Sequence, residues 1–219
     1  GRRAISLLEE IASPDVVKAY RDEGRFLFDA KNYEEALTWF QKAFEYVTLD
    51  DNDFNKAWDL FHIARSHLKL ENYEAAIRIL KDARNLFKVG KNLVQITFCD
   101  EELTLADLKS NQLELAQTHG LALDFAATAE DEVRNYWASI RFAQVSEAAG
   151  DFQVAYDYYK RAKSWEVANS KYTYWPHVFQ IELQMANCLD GLNRSSEASE
   201  VRRRISSMSE SLGVMPEMP

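Results

Sequence analysis

Apolar residues recur three and four positions apart along nearly the whole chain. In Asn32–Ala43 and just beyond, Tyr33, Ala36, Leu37, Phe40, Ala43, Phe44 and Val47 fall on one stripe, the spacing of a helix with one buried side. Asn32 is placed to cap that helix, and Glu34 and Glu35 complement its positive end. The pattern returns in Asn72–Ala83 and, more loosely, in Asp151–Ala162.

Paired helices account for the stretches between. Residues 1–13 read as the tail of a helix carrying Ile5, Leu8 and Ile11, the second helix of a truncated earlier unit. Ser13 followed by Pro14 is a helix start, and Val17, Tyr20, Gly24 and Leu27 then point inward. Further pairs are expected over about 54–70 and 73–89, 93–109 and 113–127, 133–149 and 152–168, and 175–189 and 195–208. The small residue of each second helix falls at Ala36, Ala76, Ala116, Ala155 and Ala198, in steps of 40, 40, 39 and 43 residues. A fixed period holding two helices predicts an all-α solenoid, because one hairpin cannot bury its apolar face alone. The repeats occupy residues 14–212, and 213–219 form a proline-ended tail with little to bury.

Composition agrees with helices. Only 7 Gly and 4 Pro occur among 219 residues, and none of the prolines lies between Pro14 and Pro176. The two cysteines, Cys99 and Cys188, lack metal or redox spacing and read as buried thiols of a reducing, cytoplasmic compartment. No run approaches the ~18 apolar residues of a membrane span. The chain opens Gly1-Arg2-Arg3 without Met, as an excised piece would. A net charge of −9 argues against direct binding to nucleic acid.

Tyr20, Gly24, Tyr33, Ala36, Phe40 and Ala43 stand where tetratricopeptide repeats place their aromatic and small residues. So do Ala64, Tyr73, Ala76, Leu80 and Ala83, and again Ala143, Gly150, Phe152, Ala155, Tyr159 and Ala162. The chain therefore resembles the tetratricopeptide repeat family over nearly its whole length. It departs from the family in its longer period, against about 34 residues, and in lacking the helix-ending proline. Long periods of this kind are similar to those of kinesin light chains and of cytoplasmic peptide-pheromone sensors of Gram-positive bacteria. The resemblance implies a right-handed solenoid of about five hairpins.

Catalytic patterns are missing. His62 and His67 are five apart, turned to different sides, and no Glu follows His62 as a zinc protease requires. Asp50-Asp51-Asn52-Asp53 lacks the Gly and the bidentate Glu of a calcium loop, so it reads as the cap of the next helix. Cys99 beside Asp100 and Glu101 sits in acidic surroundings that raise a thiol pKa. The reading is a non-catalytic domain with neither cofactor nor metal.

What remains is a surface. The resemblance implies that the first helix of each pair lines a concave groove that takes a peptide. It assigns to that groove Lys18, Arg21, Arg25, Phe28 and Asp29, then Trp58, Phe61, Arg65, Leu68 and Lys69. Phe98, Glu101, Leu105, Leu108 and Lys109 follow, then Trp137, Ile140, Gln144 and Glu147, and last Gln180, Leu183 and Asn187. Lys18, Arg21, Arg25, Arg65 and Lys69 would form a basic end suited to an acidic peptide, with Trp58, Phe61, Phe98 and Trp137 offering rings. The plain alternatives are cations paired with Asp22, Glu23 and Glu71, and rings that fill their own groove. The Lys, Asn and Arg set with which chaperone-tail adaptors hold a terminal carboxylate is incomplete here. The expected function is a protein- or peptide-binding module. Its rivals are a ligand-sensing regulatory domain of a longer protein and a scaffold that forms homodimers.

Overall fold

The computed structural model describes residues 2–10, 15–46, 53–126, 132–168 and 175–213. Among them are eleven helices: α1 (Arg2–Glu10), α2 (Val16–Asp29), α3 (Tyr33–Glu45), α4 (Asp53–Lys69), α5 (Tyr73–Val89), α6 (Leu93–Lys109), α7 (Leu113–Ala126), α8 (Glu132–Ala148), α9 (Phe152–Ala168), α10 (Trp175–Gly191) and α11 (Ser195–Leu212). The expected Ser13–Pro14 start, Ile11, most of the Asp50–Asp53 cap and the tail beyond Gly213 lie outside the described residues. No described helix is long and apolar enough to cross a membrane.

The turns explain how hairpins close without proline. Lys31, Glu71, Lys91, Asn111 and Asn193 are left-handed, with φ of 62°, 61°, 56°, 59° and 59°. Around Lys31 the chain makes paired bonds that end a helix: Lys31 N–H donates to the Phe28 carbonyl at 3.0 Å and Asn32 N–H to the Leu27 carbonyl at 2.9 Å. The same pair recurs at Glu71–Asn72, Lys91–Asn92, Gly150–Asp151 and Asn193–Arg194. These bonds change the role expected of Asn32. Its ψ of 76° falls short of the extended backbone of a capping residue, and its side chain makes no cap hydrogen bond.

The chain forms two compact units, residues 1–111 and 112–219. The boundary separates the helices expected to make the third hairpin. In the first unit α2 to α6 each pack on their chain neighbours. Ala57, Phe61, Ala64, Ala76, Leu80, Ala83, Cys99 and Leu103 share one buried cluster. Ile63 joins Leu27, Ala36 and Phe40 in another, which links one hairpin to the next. At Gly24 an added Cβ would come 2.7 Å from the Phe40 ring, so the close approach of α2 and α3 needs a residue without a side chain. Helix α1 packs like a second helix against α2: Ile5 is buried with Val16 and Tyr20, and the Tyr20 hydroxyl donates to Glu9 at 2.5 Å. Phe44, expected inside, is exposed.

In the second unit α7 to α11 again pack on their chain neighbours. Tyr136, Ala143, Ala155, Tyr159, Ala162, Ile181, Met185 and Cys188 form its main cluster, and Ala186, Leu189 and Ala198 a smaller one. Glu182, buried on α10, is bound by Lys163 of α9 and by Arg204 of α11 at 2.8 Å, tying three helices together.

Candidate functional site

In the first unit the residues assigned to the groove are largely answered by the protein itself. Arg21 on α2 donates two hydrogen bonds of 2.7 Å to Asp59 on α4, whose carboxylate is buried. Arg65 on α4 donates to Glu102 on α6 at 3.0 Å and lies over the Phe28 ring at 4.8 Å. Arg25 pairs with Asp22 of its own helix at 2.6 Å, both more than half exposed. Lys18 and Lys69 are exposed. Phe61 is buried, and Trp58 and Phe98 are half-buried 6.2 Å apart. Phe98 also stands 6.4 Å from Phe61, so rings and the Arg65–Glu102 bridge fill the space between α4 and α6.

His62 sits in the middle of this set. It stacks on Phe40 at 4.9 Å and on Trp58 at 5.6 Å. Burial first, then Arg65, Arg25 and Arg21, lower its pKa to about 3, so the imidazole is neutral.

The second unit repeats the frame with different residues. Counted back from the left-handed turn residue, Trp137 and Gln144 on α8 hold the places of Trp58 and Arg65 on α4. On α10, Gln180 holds the place of Phe98 and Gln184 that of Glu102. With a slimmer amide for the ring, and a glutamine in the place of Glu102, the space stays open as a recess of about 140 Å³. Trp137 is 36% exposed at its edge, 6.1 Å from His177. Arg141, which donates to the side-chain carbonyl of Gln144 at 3.0 Å, lines it too. Tyr159 is buried among the lining residues and donates its hydroxyl to Glu147 at 3.0 Å. Burial outweighs that bond and raises the Glu147 pKa.

Four groove positions assigned by resemblance (Trp137, Ile140, Gln144 and Gln180) therefore meet at one recess. The partners Asp59 and Glu102 were not anticipated, although each follows its arginine by 38 and 37 residues, close to one repeat. That near-period was the signal available. Arg141, His177 and Gln184 were missed, because nothing local distinguishes them from solvated positions.

Neither cysteine is poised as a nucleophile. Both thiols are buried, and burial first, then Asp100 for Cys99 and Glu147 for Cys188, raises each pKa to about 12. Among the described residues no group of three or more His, Cys, Asp or Glu is gathered to hold a metal ion.

Residues 15–88 match the model of the tetratricopeptide repeat family. No curated protein matches the sequence. Among solved structures, BtubC (BKLC) from P. vanneervenii is similar over 100% of this chain and 91% of its own, with a TM-score of 0.82 at 10% identity. Nearly identical TPR-like repeats of the kinesin light chain type from Podosopora anserina give 0.69 at 13% identity, over 91% and 97% of the two chains. A Rap protein complexed with Competence and Sporulation Factor gives 0.75 at 17% identity, over 94% of this chain and 58% of that one. At these identities the likeness is one of fold.

Proposed function

We propose, from the match of residues 15–88 to the tetratricopeptide repeat family, that the chain is a non-catalytic module binding a peptide segment of a protein partner. The contact surface is the first-helix face of the second unit. One observation carries this reading: the recess between α8 and α10, edged by an exposed indole and lined by carboxamides, stays open where its counterpart in the first unit is filled. Carboxamides both donate and accept, which suits a peptide backbone, and an exposed ring adds contact area at small entropic cost. A Rap protein of similar fold has been solved with Competence and Sporulation Factor bound, which is consistent with this use of the fold.

Selection from a displayed random-peptide library tests the reading. Wild type should enrich a peptide motif that is lost on Trp137→Ala and retained on Lys18→Glu. Failure to enrich any motif, or enrichment indifferent to Trp137, would overturn it.

A further inference from the structure

We infer that the edge of the first unit at which α3 runs into α4 and α5 into α6 is a self-association surface. It takes the same edge of a second copy of this chain about a two-fold axis. The inference concerns the first unit alone and does not rest on the peptide-binding reading of the recess.

Five apolar side chains are exposed at this edge. Phe44 and Tyr46 stand at the end of α3, Phe54 at the start of α4, Val89 at the end of α5 and Leu93 at the start of α6. The Phe54 ring lies 5.8 Å from Phe87, which sets the start of α4 against the end of α5. Val89 and Leu93, at 75% and 72%, are the most exposed large apolar side chains among the described residues.

The fold itself does not call for apolar groups at two of these places. Counted from the preceding left-handed residue, the place of Phe44 belongs to Arg84 on α5 and to Lys163 on α9. Each of those cations binds a carboxylate of the next helix, Asp100 and Glu182 respectively. Counted back from the following turn, the place of Val89 belongs to Asp29, Lys69 and Lys109, all exposed. Apolar groups gathered on one surface, where sister positions carry charge, mark a contact with another molecule.

Charge names the occupant. Lys88 and Lys91, both exposed, flank Val89 at one end of the edge. At the other end Glu45 and Asp53 are exposed, and Asp50 and Asp51 lie between them in sequence, so that end stays acidic with Lys56 counted. A two-fold rotation brings the basic end of each copy onto the acidic end of the other and sets the apolar residues against one another. That self-complementarity is what an isologous dimer requires. It also offsets charge locally in a chain of net charge −9, whose copies otherwise repel.

Sedimentation equilibrium of the full chain tests this, and wild type should form a reversible dimer. Val89→Ser with Leu93→Ser, at exposed positions, should weaken the dimer at least tenfold and leave the unfolding midpoint unchanged. Lys88→Glu with Lys91→Glu should weaken self-association at least tenfold, and so should Glu45→Lys with Asp53→Lys. An equimolar mixture of those two charge variants should associate as wild type does, since opposite charges face each other again at both ends. A misfolded variant cannot give that restoration. A monomeric wild type, a dimer indifferent to Val89→Ser with Leu93→Ser, or a mixture no tighter than its components overturns the inference. A monomer that floats with phosphatidylserine vesicles, and loses them on Leu93→Ser, would overturn it in favour of a lipid surface.

Discussion

Arg21 and Asp59 join the first helices of successive hairpins through two parallel hydrogen bonds of 2.7 Å. The carboxylate is almost wholly shielded, at 1% side-chain exposure, and the guanidinium keeps 22%. A groove cation is thereby a fastening between repeats.

Breaking that pair from one side should be costly. Arg21→Met removes two charge-assisted hydrogen bonds from a buried carboxylate and is expected to destabilise by about 3 kcal/mol. The double variant Arg21→Met, Asp59→Leu should recover most of the loss, since two apolar residues can replace a buried ion pair. Urea denaturation of the four members of the cycle measures this, and equal losses in the single and double variants would refute it.

The left-handed turns give a prediction of opposite sign. Lys31, Glu71 and Lys91 hold a backbone conformation that costs a side-chain-bearing residue about 1–2 kcal/mol. Glycine relieves this at some cost in unfolded-chain entropy, so each change to Gly should stabilise by about 0.5–1 kcal/mol. Gly150→Ala, at φ 82°, should destabilise by about 1 kcal/mol. Thermal unfolding midpoints decide the signs.

His62 should make the first unit sensitive to mild acid. Its pKa is about 3 in the folded protein against an ordinary 6.5, so below about pH 6.5 the unfolded chain takes up a proton that the folded one refuses. The associated stability is complete above pH 6.5 and is lost as pH falls toward 3. Between about pH 7.5 and about pH 5 the loss is on the order of 2 kcal/mol. Burial lowers the pKa of His67 as well, adding to the trend. His62→Gln should flatten the dependence of the urea midpoint on pH; an unchanged slope counts against this assignment.

Filling the recess should separate binding from folding. Gln180→Phe restores the ring that Phe98 provides in the first unit, so it should leave the unfolding midpoint unchanged or higher. The same change should weaken a selected peptide at least tenfold in fluorescence anisotropy. Full binding by the variant would place the ligand elsewhere.

Thiol chemistry offers a simple check on packing. Cys99 and Cys188, both buried and held as thiols, should react with an aromatic disulfide reagent only after denaturant opens the fold. Rapid labelling in buffer would contradict that burial.

The sequence by itself determined the helices, four of the five expected hairpins and the period, because each follows from local spacing of apolar and small residues. Ala36, Ala76, Ala116, Ala155 and Ala198 are all buried, as their recurrence requires. It also supplied the side chains that could line a groove, yet it could not say which of them were free. Arg21, Arg65 and Phe98 look as available in one dimension as Trp137 and Gln144. Only the tertiary structure decided that, since a charge or ring is spent or left open according to what the neighbouring repeat brings within about 3–6 Å. Asp59 and Glu102 lie nearly one repeat away from their arginines, and Gln184 holds the matching place without a charge. Occupancy of a surface depends on pairs distant in sequence, and helix periodicity records only the near ones.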